Sequence, residues 1–403
     1  MEKKEINRVV LAFSGGLDTS VIVHWLKENY DCEVIAFAAD VGQGEDLAPL
    51  PERAEAAGAA DIQIRDVREE FASQYVLPGL KAQAVYENGY PLATALARPL
   101  ISKHLVDIAR EYDADAVAHG STGKGNDQVR FEVSARALAP DIEVLAPVRH
   151  WELDTREDEI EYADRHNIPV EATAESPYSY DRNLWGVSIE CGPLEDPWNR
   201  PPEDVYLWTT NPLEAPDEPE EVTLEFEQGK PVALNGSELA LVDLIDRINE
   251  LAGRHCVGRI DMVENRLVGI KSREIYEAPA AVVLLEAHRA LMDLVLDRDV
   301  YHHLQRISPK YSELVYNGLW FSDLRESLDA FVNKSQERLT GKVRVRLYKG
   351  DAVVNGRKSP ESLYDRSLST YDEGDEFDQS LAPGFVRLWG LPLEVAGRRR
   401  DRQ

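Results

Sequence analysis

Over the first 170 or so residues, short apolar runs alternate with stretches at helical spacing, a pattern that predicts a parallel β-sheet covered by helices. The expected strands are Arg8–Phe13, Glu33–Ala39, Asp61–Arg65, Ala114–His119 and Ile142–Ala146. Between the first two, Val21, Ile22, Trp25 and Leu26 recur at helical spacing, so residues 18–29 read as a helix with an apolar stripe for the sheet. Asp18 or Thr19 is its expected cap. A second helix is expected to open at Thr155, with Asp158 completing a capping-box-like arrangement, and to run towards His166 before Ile168-Pro169 stops it.

From Ser176 to about Pro219 the periodicity is lost. Pro193, Pro197, Pro201, Pro202, Pro212, Pro216 and Pro219 are expected to break any regular element, leaving an irregular connector. Beyond it, Val222–Phe226 and Pro231–Leu234 flank Gln228-Gly229-Lys230 as a hairpin, and a second hairpin is expected at Lys342–Val354 around Lys349-Gly350-Asp351. Helices are expected at 239–252 and 280–298. The organisation that follows is an α/β domain over 1–170, an α+β domain over 171–365 and a tail over 366–403, with no internal repeat visible.

Composition narrows the class. A chain of 403 residues, 43% hydrophobic, buries a substantial core but has no run of about 18 apolar residues. Met1-Glu2-Lys3-Lys4-Glu5 leads straight towards a strand, so a soluble, cytoplasmic protein without a membrane partner is expected. Cys32, Cys191 and Cys256 form no CxxC pair and suggest neither a zinc cage nor a disulfide framework. The formal charge of −28, from 73 acidic against 45 basic residues, opposes attraction to phosphate backbones and disfavours nucleic acid as a partner. Such acidity reads either as a solubilising surface or as adaptation to a salt-rich medium, where screening makes self-repulsion tolerable.

The most specific local signal is Ala12-Phe13-Ser14-Gly15-Gly16-Leu17-Asp18-Thr19-Ser20, between the first strand and the first helix. A loop there turns backbone N–H groups and the positive helix end onto one spot, the arrangement that binds phosphate; Gly15 and Gly16 allow close approach. Ser14, Thr19 and Ser20 add hydroxyl donors. Neither a Walker A ending nor the GxGxxG fingerprint is present, so ATP fits better than a dinucleotide. Asp18 either holds Mg²⁺ or orders the loop by accepting N–H bonds. A second constellation, His119-Gly120-Ser121-Thr122-Gly123-Lys124-Gly125-Asn126-Asp127-Gln128-Val129-Arg130-Phe131-Glu132, also follows an expected strand, and in an open parallel sheet both loops face the same crevice. Lys124 and Arg130 offer positive charge there; Asn126 and Asp127 can read an amine or ureido group.

The loop Ser14-Gly15-Gly16-Leu17-Asp18-Thr19 resembles that of the N-type ATP pyrophosphatases, and together with His119–Glu132 it resembles the argininosuccinate synthase family. The segments Gly258–Arg266 and Gly269–Glu277 agree with that family's second domain, and the resemblance runs from about Val9 to Tyr364. It implies an α/β, PP-loop, HUP-like nucleotide domain followed by an α+β synthetase and oligomerisation domain with a short C-terminal tail. It further implies that Ala12–Ser20, Ala39 and Gly120 contact ATP. Citrulline would meet Tyr90, Asn126, Arg130, Ser179, Ser188, Glu264 and Tyr276, and aspartate would meet Thr122, Asn126 and Asp127, with Thr94 nearby.

The implied chemistry is attack of the citrulline ureido oxygen on the α-phosphorus of ATP, loss of diphosphate, and displacement of AMP by the aspartate amine. Asp18, Asp127 and Arg130 carry the expected catalytic roles, with Mg²⁺ beside the phosphates, no covalent intermediate and a homotetrameric assembly. Ala95 replaces a serine usual in the family, and Ala93 a glycine, which puts one hydroxyl contact to citrulline in question. Phe13, where tyrosine is common, and a shortened Val148–Thr155 stretch are tolerable departures. Two other readings compete: a different adenylating ligase of the superfamily, and a non-catalytic nucleotide sensor. The first lacks a glutaminase-like module or cysteine pair, and the second gives no reason for the Gly258–Arg266 and Tyr276 segments.

Overall fold

Five parallel strands in the order β3-β2-β1-β4-β5 form the first sheet: β1 Arg8–Ala12, β2 Glu33–Asp40, β3 Asp61–Asp66, β4 Ala116–Ala118 and β5 Glu143–Leu145. The computed structural model describes residues 5–153, 155–169 and 177–400. Met1–Lys4, Asp154, Ser176 at the head of the expected connector, the boundary at residues 170/171, and Asp401–Gln403 of the basic tail lie outside the described residues. Successive residues of β1 serve opposite faces, as strand geometry requires. Val9 and Leu11 pack with Val21, Ile22 and Leu26 of helix α1 (Leu17–Tyr30), whereas Val10 packs with Leu105, Val106 and Phe131 on the other side. Covering both faces is what makes these strands read as continuous apolar runs.

Helix α2 (Leu50–Ala57) precedes β3. Short helices α3 (Arg68–Phe71) and α4 (Leu77–Lys81), joined by a π-turn at Ala72–Val76, lead to α5 (Ala93–Glu111), and α6 (Asp127–Leu138) follows β4. Helix α7 (Arg156–Arg165) has the expected capping box: Thr155 Oγ1 accepts from Asp158 N at 3.2 Å while Thr155 N donates to Asp158 Oδ2 at 2.8 Å. The expected cap of α1 is corrected. Gly16 is its N-cap with no side-chain bond, and Asp18 and Thr19 lie inside the first turn.

The segment expected to be irregular contains a hairpin, β6 (Ser179–Asn183) and β7 (Gly186–Glu190), which joins β11 (Arg259–Asn265) and β12 (Lys271–Glu277) in an antiparallel sheet of order β11-β12-β7-β6. The prolines that argued for disorder of pattern begin at Pro193. Ahead of them Val187 and Ile189 alternate into a small core with Ile275, and Trp185 is buried with its indole N–H on Pro91 O at 2.9 Å.

The two hairpins expected later are present. They form the sheet β10-β9-β8-β13-β14 from β8 (Glu220–Glu227), β9 (Lys230–Leu234), β10 (Ser237–Glu238), β13 (Gly341–Tyr348) and β14 (Asp351–Lys358). Helix α8 (Leu241–Arg254) and the largely apolar α9 (Pro279–Val295) pack on it; α10 (Arg298–Tyr316) and α11 (Asp323–Gln336) complete the α+β part. Residues up to 361 form one compact body. A second unit begins at Ser362 and carries α12 (Arg366–Ser369) and α13 (Ala382–Arg400); α13 has no buried residue.

Candidate active site

In the order β3-β2-β1-β4-β5 the direction of winding reverses between β1 and β4, and a crevice forms at the carboxyl ends of the strands on either side of such a switch point. The loop after β1 is the glycine-rich one. Gly15 holds φ +76°, open to glycine and strained for other residues, and a Cβ there would lie 2.3 Å from Leu50 Cδ2. Ser14 Oγ and Thr19 Oγ1 are 3.1 Å apart and Gly16 N lies 3.4 Å from Ser14 Oγ, so these hydroxyls brace the loop. The first N–H groups of α1 have no helical acceptor and point out of the turn. Ala12 ends β1, Phe13 is buried with its N–H on Phe37 O at 2.8 Å, and Leu17 and Ser20 lie in α1, Ser20 buried. Ala39 lies near the end of β2.

The loop after β4 opens onto a cavity of about 300 Å³. Tyr90, Thr94, Gly120, Thr122, Asn126, Asp127, Arg130, Ser179, Ser188, Glu264 and Tyr276 all line it, although they come from separate parts of the chain. Strand register accounts for part of this: Ser188 of β7 stands opposite Tyr276 of β12 on one side and Asp181 of β6 on the other. Ala12–Ser20 and Ala39 are not in its wall, so the residues expected at the nucleotide and those expected at the amino acids separate, with Gly120 the one nucleotide residue lining the cavity.

Charge in the cavity wall is paired. Arg98 of α5 donates through Nε to Asp127 Oδ2 at 2.8 Å and through Nη2 to Asp181, while Arg130 Nη1 donates to Asp127 Oδ1 at 2.9 Å. Burial opposes ionisation of Asp127, but the Arg98 and Arg130 guanidiniums hold it below the usual carboxylate range. Asp181, half-buried beside Asp127, is raised by desolvation first and by the Asp127 charge, against the pull of Arg98. Opposite, Arg266 donates to both Glu190 and Glu274, the latter at 2.6 Å. Burial first, then the Glu190 and Glu264 charges, push Glu274 up to about 8 against the pull of Arg266.

Glu264 accepts from two tyrosines, Tyr276 Oη at 2.6 Å and Tyr316 Oη at 2.5 Å. Tyr90, stacked on Tyr276 with ring centroids 4.2 Å apart, receives the Thr94 and Ala95 N–H groups on its hydroxyl at 2.9 and 3.3 Å. The Thr94 hydroxyl itself is buried and has no hydrogen-bond partner of ordinary geometry.

Sequence reasoning passed over Arg98, Asp181, Glu190, Arg266, Glu274 and Tyr316. Arg98 and Asp181 carried no signal in isolation. Arg266 and Glu274 fell within segments used for the family resemblance; Glu274 lies on β12 and Arg266 directly follows β11.

Whether a divalent cation fits beside the phosphate loop is answered by Glu159 of α7. It neighbours Asp18; burial first, then the Asp18 charge and a side-chain hydrogen bond with Asp18, push it up to about 8. Two adjoining carboxyl groups, with the charge of one raising the cost of ionising the other, suit a hard, oxygen-seeking cation. Elsewhere His24, Glu28 and His166 bring one donor atom each within 4.8 Å of the others. That cluster is already engaged: Tyr162 Oη donates to Glu28 at 2.6 Å and lies 2.9 Å from His24 Nδ1.

Two family models match the chain. "Arginosuccinate synthase N-terminal HUP domain" covers residues 8–169 and "Arginosuccinate synthase C-terminal domain" covers residues 178–396. Among curated proteins, the argininosuccinate synthase of Aquifex aeolicus is 62% identical over 99% of both chains. Those of Carboxydothermus hydrogenoformans and Symbiobacterium thermophilum are 58% and 57% identical over 96% of this chain and 97% of theirs.

Proposed function

Because the chain belongs to the argininosuccinate synthase family, we propose that it is a carbon–nitrogen ligase that condenses citrulline with aspartate, cleaving ATP to AMP and diphosphate. The observation that carries the proposal at the level of residues is the single cavity lined by every side chain expected at the two amino acids, beside the glycine-rich loop at the switch point.

In this reading ATP lies along Ala12–Ser20 with Ala39 and Gly120 at its flanks. Citrulline occupies the cavity among Tyr90, Asn126, Arg130, Ser179, Ser188, Glu264 and Tyr276, and aspartate approaches over Thr122, Asn126 and Asp127. Glu264, with both oxygens already bonded to tyrosines, keeps free lone pairs for ureido N–H groups, which draws electron density onto the ureido oxygen that attacks the α-phosphorus. The first N–H groups of α1 steady the leaving diphosphate. Asp18 and Glu159 would hold Mg²⁺, which when bound neutralises charge on the phosphates.

Asp127 is fixed by Arg98 and Arg130 and acts as an oriented acceptor for the aspartate amine as it displaces AMP. Arg130 is therefore a partner of Asp127 before it is a free cation for phosphate. The Thr94 hydroxyl, which makes no hydrogen bond of ordinary geometry in the wall, is suited to give citrulline the hydrogen bond that Ala95, with no hydroxyl, cannot make.

The parts this reading uses are a nucleotide domain over 1–170, a synthetase domain over 171–365 and an oligomerisation tail over 366–403. A nucleotide substrate and three free cysteines suit a cytoplasmic enzyme. No helix among the described residues is long and apolar enough to cross a membrane. A homotetramer is the assembly proposed. Release of AMP and diphosphate from ATP and Mg²⁺ by the purified protein should require citrulline and aspartate together. Release with neither amino acid, or none with both at any KCl concentration, overturns the proposal.

A further inference from the structure

Tyr316 ends α10, is 1% exposed and does not line the cavity, yet it touches three residues that do. Its hydroxyl donates to Glu264 Oε1 at 2.5 Å and accepts from Asn126 Nδ2 at 2.7 Å; its carbonyl accepts from Arg130 Nε at 3.0 Å. The ring lies against Tyr86, with centroids 3.6 Å apart and planes 6° from parallel, and Arg130 Cζ sits 4.9 Å from the ring centre. Next to it Gly318 holds φ +74°, and a Cβ there would meet Arg130 Cα at 2.9 Å, so the turn after α10 is pressed directly onto α6.

A hydroxyl has one proton to give. Given to Glu264, it leaves the Tyr316 oxygen as an acceptor, and that obliges Asn126 to present its NH₂ to Tyr316. The other end of the same amide agrees, because Asn126 Oδ1 accepts from Leu267 N at 2.9 Å. With its oxygen and one N–H engaged, Asn126 has its second N–H left for the cavity. The wall therefore offers an acceptor, Glu264, beside a donor, Asn126.

We infer that Tyr316 is a positioning residue that sets this acceptor–donor order and thereby selects a ureido group over a guanidinium. The inference rests on the proposed ligase reading and deepens it. A ureido group has N–H donors for Glu264 and a carbonyl oxygen for Asn126. A guanidinium of the same shape has donors only, so the Asn126 N–H would face another N–H, and a site built for one hydrogen-bond pattern discriminates strongly against the analogue that leaves a buried group unpaired. The product carries a guanidino group where the substrate carried the ureido group, so the same order favours its release.

The test compares Tyr316→Phe with the parent protein in steady-state argininosuccinate formation, with L-arginine as a competing analogue. Phenylalanine keeps the ring stacking and the carbonyl bond to Arg130 but removes both hydroxyl bonds, leaving the Asn126 amide held by the Leu267 N–H alone, so that turning its oxygen inward costs one hydrogen bond instead of two. The Michaelis constant for citrulline should rise on the order of tenfold, with that for ATP within about twofold of the parent. Inhibition by arginine should strengthen several-fold. Replacement of the stacking partner, Tyr86→Ala, serves as the packing control: lower thermal stability without a change in the citrulline-to-arginine ratio. An unchanged ratio in Tyr316→Phe overturns the inference while leaving the ligase reading intact. Absence of product from the parent protein overturns both, and a shift of the same size in Tyr86→Ala overturns the positioning role in favour of packing.

Discussion

At the scale of single residues, the charged groups of the cavity wall are paired with one another, and two groups there stand out. Thr94 Oγ1 is one, since a buried hydroxyl without a hydrogen bond of ordinary geometry carries part of a desolvation penalty that a ligand can relieve. Thr94→Val keeps the shape and removes the donor. The Michaelis constant for citrulline should rise about 2- to 12-fold, equivalent to about 0.5–1.5 kcal/mol for one neutral hydrogen bond. Adding Ala95→Ser to that variant should recover part of the affinity, because it restores a hydroxyl one residue along α5. No change in either variant would mean that neither position touches the substrate.

Glu274 stands out in another way, as a carboxylate that is paired with Arg266 and still raised. Its folded-state value near 8 exceeds the ordinary 4.5, so at intermediate pH the folded protein keeps a proton that the unfolded chain has released. The folded state then binds more protons, and stability falls as pH rises from about 4.5 to about 8. Glu190, Glu264 and Arg266 are the charged groups facing it. Glu274→Gln retains an acceptor for Arg266 but no ionisation, so melting temperatures of the ligand-free protein should show a shallower decline across that window than the parent. Parallel curves for the two proteins would refute the assignment.

At the scale of elements, what was legible in the sequence was whatever depends on local pattern. The apolar runs of the parallel sheet, the α7 capping box and the two hairpins around Gln228-Gly229 and Lys349-Gly350 all follow from spacing and turn chemistry, and the strands and helices lie within a few residues of expectation. The β6–β7 hairpin was obscured because the prolines after Cys191 dominated a window whose first fifteen residues contain just Pro177. The site divides in the same way. The phosphate loop is contiguous and readable, whereas Arg98, Asp181 and Tyr316 are joined to their partners by folding across 29 to 190 residues of chain and carry no local mark. Family resemblance recovered Tyr90, Glu264 and Tyr276, which local chemistry alone would class as ordinary core or surface.

An element-scale prediction concerns the phosphate loop. Gly15→Ala places a side chain at positive φ and against Leu50, so the loop must shift away from the geometry that aims its N–H groups. The Michaelis constant for ATP should rise about tenfold or more, while that for citrulline stays within about twofold, because the cavity wall does not include Gly15. Equal losses for both substrates would argue that the loop and the cavity respond as one unit.

At the scale of the whole molecule, two surfaces ask for partners. The nineteen residues of α13 bury nothing, and Phe385, Val386, Leu388, Trp389 and Leu393 are each more than 60% exposed, an unusual apolar display for an isolated chain. A second copy of this chain is the occupant that the proposed homotetramer supplies. Light scattering should report four chains, and Trp389→Glu should reduce that mass; a monomeric parent protein would remove the tetramer from the proposal.

The other surface is the acidic one, and its prediction separates two causes by their dependence on salt. A net charge of −28 spread over the molecule repels itself at low ionic strength. Exposed ion pairs such as Arg68–Asp66 and Lys334–Glu337 work in the opposite sense, but each contributes about 0–1 kcal/mol and is screened by the same salt. With 73 acidic groups against 45 basic ones, many carboxylates have no cation to lose, so the repulsive component is larger and KCl should raise the melting temperature. Simple screening is nearly complete once the Debye length has fallen from about 10 Å at 0.1 M to about 3 Å at 1 M. A rise that levels off by about 1 M therefore identifies a solubilising acidic surface. A rise that continues through multimolar KCl, accompanied by ligase activity that grows with salt, requires ions to take part in hydrating the folded surface and identifies adaptation to a salt-rich medium. A melting temperature that falls from low salt onward would show that the ion pairs outweigh the excess charge and would overturn the repulsion argument itself.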